Sequence, residues 1–441
     1  MLNSLGLALF LYIHLKIRQV KEDFLHFIWL HKKLDFSNLK TTSGETITVL
    51  STGIYTQQAG PDFFNSKIEI NNQVWAGNIE MHVKSSDWYL HNHQNDDNYN
   101  NVILHVVWEH DTAVFYPNNK PIPVLELKNQ INKALLTNYL NLKTAKNWIF
   151  CENDIKSVTQ FTIANFKEKL LIERLQQKEE VIKQLLVHNK NDFNASFFVF
   201  LAKNFGLNSN GSAFEAIANH IGFNIFQKEQ NNLLHLEALL FGFAGLLNGD
   251  FQDQYPKDLQ QTFLYLKQKH QLKDVFTQVN FFKHRPDNFP TIRLAQLAQL
   301  YFVKEHLFEQ TTSATSPHQI QNLLNVQTSK YWETHYVFDQ ESKSKIKKTS
   351  KAFLDLLLIN AVLPMRFAYQ NYLGEPFSDS LLEWLENIKP EQNSIIKRFD
   401  ALGLKSNSSY DTQAFLHLKK KYCDLQKCLS CAIGSELIKN A

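Results

Sequence analysis

Val74-Trp75-Ala76-Gly77-Asn78-Ile79-Glu80-Met81-His82-Val83-Lys84 is the stretch on which the reading of the fold turns. Its side chains alternate as those of a strand do, so Glu80, His82 and Lys84 share one face while Met81 and Val83 point into a core. Three ionisable groups in a row on a buried strand cost free energy unless they bind something or pair with each other. Just upstream, Ser66 to Ile70 reads as a second strand, joined to the first through Asn71-Asn72-Gln73, a hairpin signal. Gly60-Pro61-Asp62-Phe63 comes before that strand and puts Asp62 eighteen residues ahead of Glu80. An aspartate just before one strand, with a Glu/His/Lys row on the next, can hold a divalent metal beside a lysine.

Residues 21–34 carry Phe24, Leu25, Phe27, Ile28 and Leu34 at helical spacing. Thr46 to Leu50 alternates as a strand. Asp87 to Asn101 is polar and reads as a loop with a short helix, and Val102 to Glu109 and Ile122 to Leu127 are apolar strands. The order of helix, three strands, helical turn and two strands predicts an α+β or α/β domain with a mixed sheet over residues 21–150. From Val158 nearly every segment has helical periodicity, so residues 151–441 are expected to form an all-helical domain ending in a cysteine-containing tail.

The 441 residues are too many for one ordinary core, in keeping with two domains. Hydrophobic content of 44% and charged content of 20% place the chain among soluble globular proteins. The net charge of +3 neither requires nor excludes a nucleic-acid partner, because a basic groove can coexist with an acidic exterior. Four cysteines, three of them close together, exclude a secreted disulfide scaffold and point to a reducing, cytoplasmic compartment. Leu5 to Leu15 is apolar but interrupted by His14, and is shorter than the roughly 20 residues that span a bilayer. Its basic residues follow the apolar run, opposite to a signal peptide. Residues 1–20 are read as a non-native or disordered extension, and no transmembrane segment is expected.

Asp62 and Glu80 are the candidate ligands for Mg²⁺ or Mn²⁺, with Lys84 or His82 beside the attacking water as the further catalytic candidates. The same row would also suit a sheet-edge salt bridge between Glu80 and Lys84. Ser85-Ser86-Asp87-Trp88-Tyr89-Leu90-His91-Asn92-His93 follows directly. Asp87, His91 and His93, with Asp96, Asp97 and His105 nearby in sequence, can ligate a metal or contact phosphate, or form a solvated polar loop. Cys423-x4-Cys428-x2-Cys431 ends the chain, and with Cys151 makes a complete four-thiolate set for a 4Fe–4S cluster or Zn²⁺. Ordinary buried cysteines are the alternative. In the helical domain, Pro290 starts a helix flanked by Arg285 and Arg293, which would hold phosphate or cap the loop.

The Asp62, Glu80 and Lys84 layout resembles the PD-(D/E)XK nuclease site. The usual form of that motif places Glu and Lys two residues apart, and here they are four apart, with His82 where the lysine is usual. Several pieces together resemble a bacterial family catalogued as domain of unknown function 2851. They are Glu22-Asp23-Phe24-Leu25-His26-Phe27-Ile28-Trp29, Ala59-Gly60-Pro61-Asp62-Phe63-Phe64-Asn65, Trp75-Ala76-Gly77-Asn78-Ile79-Glu80-Met81-His82, Ser85-Ser86-Asp87-Trp88, Arg285-Pro286-Asp287-Asn288-Phe289-Pro290 and Cys428-Leu429-Ser430-Cys431-Ala432-Ile433-Gly434. The nuclease likeness implies a restriction-endonuclease-like core and a metal-dependent nuclease, a hydrolase acting on DNA or RNA. The nonstandard spacing keeps open a catalytically inactive nucleic-acid-binding or protein-interaction scaffold. Some recombination and CRISPR-associated nucleases also tie a terminal tail down through one distant and three clustered cysteines, and that similarity places an iron–sulfur cluster ahead of zinc.

Overall fold

A computed structural model describes residues 20–56, 60–144, 147–273, 275, 277–282, 284–375 and 380–439. The extension read as residues 1–20 lies outside them except for Val20. Two compact units divide the chain. The first runs up to Phe166 and includes Arg398–Leu404 and Leu416–Ala441; the second comprises Lys167–Lys397 and Lys405–Phe415.

The first unit is built on a mixed seven-stranded sheet. Helix α1 (Glu22–Leu30) precedes strands β1 (Leu39–Lys40), β2 (Thr46–Ser51), β3 (Ile54–Tyr55), β4 (Phe63–Ile70) and β5 (Gln73–Lys84). A short helix α2 (Asp87–Leu90) and two 3₁₀ turns lead to β6 (Val102–Glu109), β7 (Val124–Glu126) and helix α3 (Lys133–Thr144). The strand order is β1-β2-β4-β5-β6-β7, with β3 on the first part of β4. The pairs up to β4–β5 are antiparallel, whereas β5–β6 and β6–β7 are parallel.

Local chemistry explains each part. Asn71 and Asn72 both take positive φ (47° and 65°), the primed turn that matches strand twist in a two-residue hairpin, and Ile70 pairs with Gln73 across it. Strand β6 is buried along nearly all its length, as expected of a strand paired on both edges and covered on both faces. Gly77 lets β5 and β6 meet: a Cβ there would lie 2.5 Å from the Asn101 carbonyl oxygen and 2.5 Å from Ile103 Cγ2.

One core cluster joins α1 to the sheet through Phe24, Phe27, Ile28, Trp29, Ile79, Met81 and Val106. Phe24 stacks on Tyr139 of α3 at 4.1 Å between ring centroids, and Tyr139 donates to Asp23 Oδ1 at 3.1 Å. Burying each large side chain of this kind contributes about 1.5–3 kcal/mol. A second, smaller cluster of Trp88, Tyr99, Val102, Val107, Val114, Ile122 and Val124 covers another part of the sheet. The C-terminal helix α4 (Ala432–Lys439) sends Ile438 into the first cluster, and Leu429 packs against it. The cysteine segment therefore belongs with the sheet, not with the helical part of the chain.

The second unit is helical, with runs such as Phe193–Phe205, Leu233–Phe243 and Pro290–Val303. It departs from an all-helical expectation in one small hairpin, where His335–Val337 pairs with Gln340–Glu341. Among the described residues, the run 351–372 is the one helix long and apolar enough to cross a membrane, and most of it is buried within the protein.

Candidate metal centre

Strand β5 brings Glu80 and His82 into the interior, with 5% and 1% of their surfaces exposed. Asp62 stands just before β4, whose pairing with β5 aligns Phe63 with Ile79. The two acids meet through the backbone. The Asp62 N–H donates to Glu80 Oε2 at 3.1 Å, and the Met81 N–H donates to Asp62 Oδ2 at 2.9 Å. A β-bulge between Phe63 and Ser66, with Asn65 at φ 55°, bends β4 directly after Asp62.

The crossover from β5 to β6 then folds three histidines together. Asp87 accepts from the Lys84 N–H at 2.9 Å and fixes the turn out of β5. Asn92 takes the left-handed conformation between His91 and His93 (φ 63°), which a short polar side chain tolerates. His91 Nδ1 lies 3.0 Å from His82 Nε2. His93 Nε2 lies 3.4 Å and His82 Nε2 3.5 Å from Glu80 Oε1. The ligand nitrogens of His82, His91 and His93 all lie within 4.8 Å of one another. Tyr99 stacks on His93 at 3.8 Å, and the fully buried His105 on β6 meets His82 Nδ1 at 2.8 Å.

Helix α1 supplies a contribution that the sequence reading missed. Glu22 and His26 stand four residues apart, on one side of a helix whose other residues are mostly core. His26 Nε2 lies 3.0 Å from Asp62 Oδ2, and its Nδ1 lies 3.2 Å from the Tyr55 hydroxyl. The available signal was this i, i+4 pair of polar residues within an otherwise apolar helix.

The electrostatics reflect negative charge held out of water. Burial first, and then the neighbouring Asp62, push the Glu80 carboxyl well above the ordinary range. The same two causes raise Glu22. Burial acts most strongly on His26 and disfavours its charge, but the hydrogen bond to Asp62 together with the charges of Asp62, Glu22 and Glu80 outweighs it and raises the ring. Burial and the surrounding imidazoles push His82 down to about 2, and His105 falls to about 3 through burial and then His93. These rings are thus neutral, the form in which imidazole ligates a metal.

The donor set fits a divalent ion. His93 Nε2 is buried, makes no hydrogen bond among the described residues, and faces Glu80 Oε1. Separations of 3.0–3.5 Å between neighbouring donors are those of ligands about 2.1 Å from a shared centre. Three nitrogens with one carboxylate oxygen make a set better suited to a transition ion than to Mg²⁺, which favours oxygen ligands.

Not every sequence candidate converges here. Lys84 is exposed, and its ammonium lies 3.8 Å from Asp111, away from the acids. Asp87 is engaged by the backbone of Lys84, and Asp96 accepts from the Asn98 N–H. Arg285 and Arg293 lie in the second unit. Arg285 is exposed, whereas Arg293 is buried, 3.4 Å over the Phe353 ring, and bonded to Asn288 and Gln296, so it is occupied as a packing residue.

The profile of a family described as "Protein of unknown function (DUF2851)" matches residues 22–394. The chain belongs to this family. The matched region includes α1, the acid pair and all the clustered histidines. No curated protein and no solved structure gives a significant match.

Proposed function

We propose that this DUF2851 member is a divalent-metal-dependent phosphodiesterase acting on nucleic acid, DNA or RNA. The observation that carries this reading is the meeting of Asp62 and Glu80 beside the clustered nitrogens of His82, His91 and His93. A helix, an antiparallel strand trio and a parallel strand after a crossover, with the aspartate before the second long strand and the glutamate on the third, agree with the PD-(D/E)XK resemblance.

A bound divalent ion would supply charge to polarise a phosphate and lower the pKa of water. Glu80, His82, His91 and His93 are assigned as its ligands. Asp62 holds the Glu80 carboxylate through its own N–H, and its Oδ2 both accepts from the Met81 N–H and faces His26 Nε2. His26, raised by Asp62, takes the cationic role for which Lys84 stands too far away. It would hold a proton at Nε2 and steady the charge that develops on the phosphate.

The test is incubation of the purified protein with plasmid and single-stranded DNA and RNA, in Mn²⁺, Mg²⁺ or chelator. Cleavage in Mn²⁺ that disappears in Glu80→Gln and in chelator is expected. Cleavage undiminished in both Glu80→Gln and Asp62→Ala would sink the assignment. The outward position of Lys84 favours a second reading, a scaffold that binds metal and nucleic acid without cutting. That reading predicts salt-dependent binding with no cleavage under any metal.

A further inference from the structure

We propose that Cys151, Cys423, Cys428 and Cys431 form a four-thiolate metal centre that fastens the last segment of the chain to the sheet-bearing unit. The centre takes a thiophilic metal, either a single Zn²⁺ or an iron–sulfur cluster. The centre shares no residue with the acid and histidine cluster.

These four are the only cysteines in the sequence, and all belong to the first unit although about 270 positions separate Cys151 from the rest. They line one pocket together with Phe150 and Tyr422. None is in a disulfide. Buried cysteines that serve only as small apolar side chains have no reason to gather as a complete set, whereas tetrahedral thiolate ligation needs four.

The backbone around them is tightly constrained. The Lys427 N–H donates to the Tyr422 carbonyl at 2.9 Å, and the Cys431 N–H to the Cys428 carbonyl at 3.3 Å, closing the turn that holds the Cys-x-x-Cys pair. Gly434 is required by this closure: a Cβ there would lie 2.3 Å from the Cys428 carbonyl oxygen. On the other side, the Cys151 carbonyl accepts from both Asp154 and Ile155 at 3.1 and 2.9 Å, fixing the turn that presents its thiol. Burial pushes the Cys151 thiol up to about 12, with Cys431 and Cys428 adding to the shift, and Cys423 is raised by burial and by the other three. Loading is a ligand exchange: four S–H protons leave to solvent as four sulfur–metal bonds form, and an iron–sulfur cluster would be transferred preformed, its carrier's terminal ligands leaving as the thiolates bind, with no change in oxidation state.

The test uses the full chain purified without oxygen, with zinc, iron and acid-labile sulfide measured per chain. About one zinc, or about four iron with matching sulfide and visible absorbance, supports the centre and identifies its metal. Cys151→Ser and Cys428→Ser should each lose most of that metal. Because either variant may misfold, thiol alkylation of the wild-type protein is compared before and after chelation. All four thiols should be protected before and reactive after. Metal-free protein with four accessible thiols, disulfide pairing between them, or metal retained in full by Cys151→Ser would overturn the proposal.

Discussion

Glu80 carries the clearest pH signature. Its carboxyl ionises near the ordinary 4.5 when unfolded and at about 9 in the metal-free fold. A raised folded pKa means a contribution to stability that is complete below 4.5 and is lost as pH climbs towards 9. Metal-free protein should therefore lose thermal stability across that window, and Glu80→Gln should flatten the loss. A bound cation must displace the same proton, so Mn²⁺ affinity should rise with pH and each ion should release a proton, read by calorimetry in buffers of different ionisation enthalpy. His105 acts through His82 Nδ1, and His105→Ala should weaken Mn²⁺ binding about 10–100-fold while leaving the protein folded. Asp62, Glu80, His82, His91 and His93 were legible because strand alternation and a His-x-His loop are local patterns. Lys84 was not, because sharing a face is not sharing a depth: two more residues of strand advance about 6.6 Å and carry it to Asp111. Glu22 and His26 were hidden in a helix that reads as core.

At the scale of elements, the hairpin was readable from its paired asparagines, but the parallel contact of β5 with β6 was not, since it depends on residues far apart in sequence. Gly77 is the test of that contact. Gly77→Val would push a side chain into Asn101 and Ile103 and should cost about 1–3 kcal/mol or more, seen as a lower unfolding midpoint. Pro290 opens its helix as the sequence predicts, but Arg293 turns inward onto Phe353. Arg293→Ala should therefore destabilise the protein by about 2–4 kcal/mol in denaturant titration. A loss of nucleic-acid affinity without that destabilisation would return Arg293 to a phosphate-binding role.

For the whole molecule, the sequence conveyed a sheet-bearing part followed by helices, because hydrophobic period changes from two to 3.6 along the chain. The return of the last helix to the first unit was signalled by the cysteine set alone, because the eight residues of α4, with Ile433 and Ile438 buried, are too short an apolar pattern to name the surface they dock on. Ile438→Ala should cost about 2–5 kcal/mol if that docking is structural, measured by chemical unfolding. A change near zero would mean that the tail contributes nothing to the core.

The most direct measurement is anomalous diffraction at the manganese edge from crystals soaked in Mn²⁺. One strong peak is expected at bonding distance, about 2–2.3 Å, from Glu80 Oε1 and the ring nitrogens of His82, His91 and His93. Soaked crystals with no peak among these four side chains, or with manganese bound only elsewhere, would contradict it.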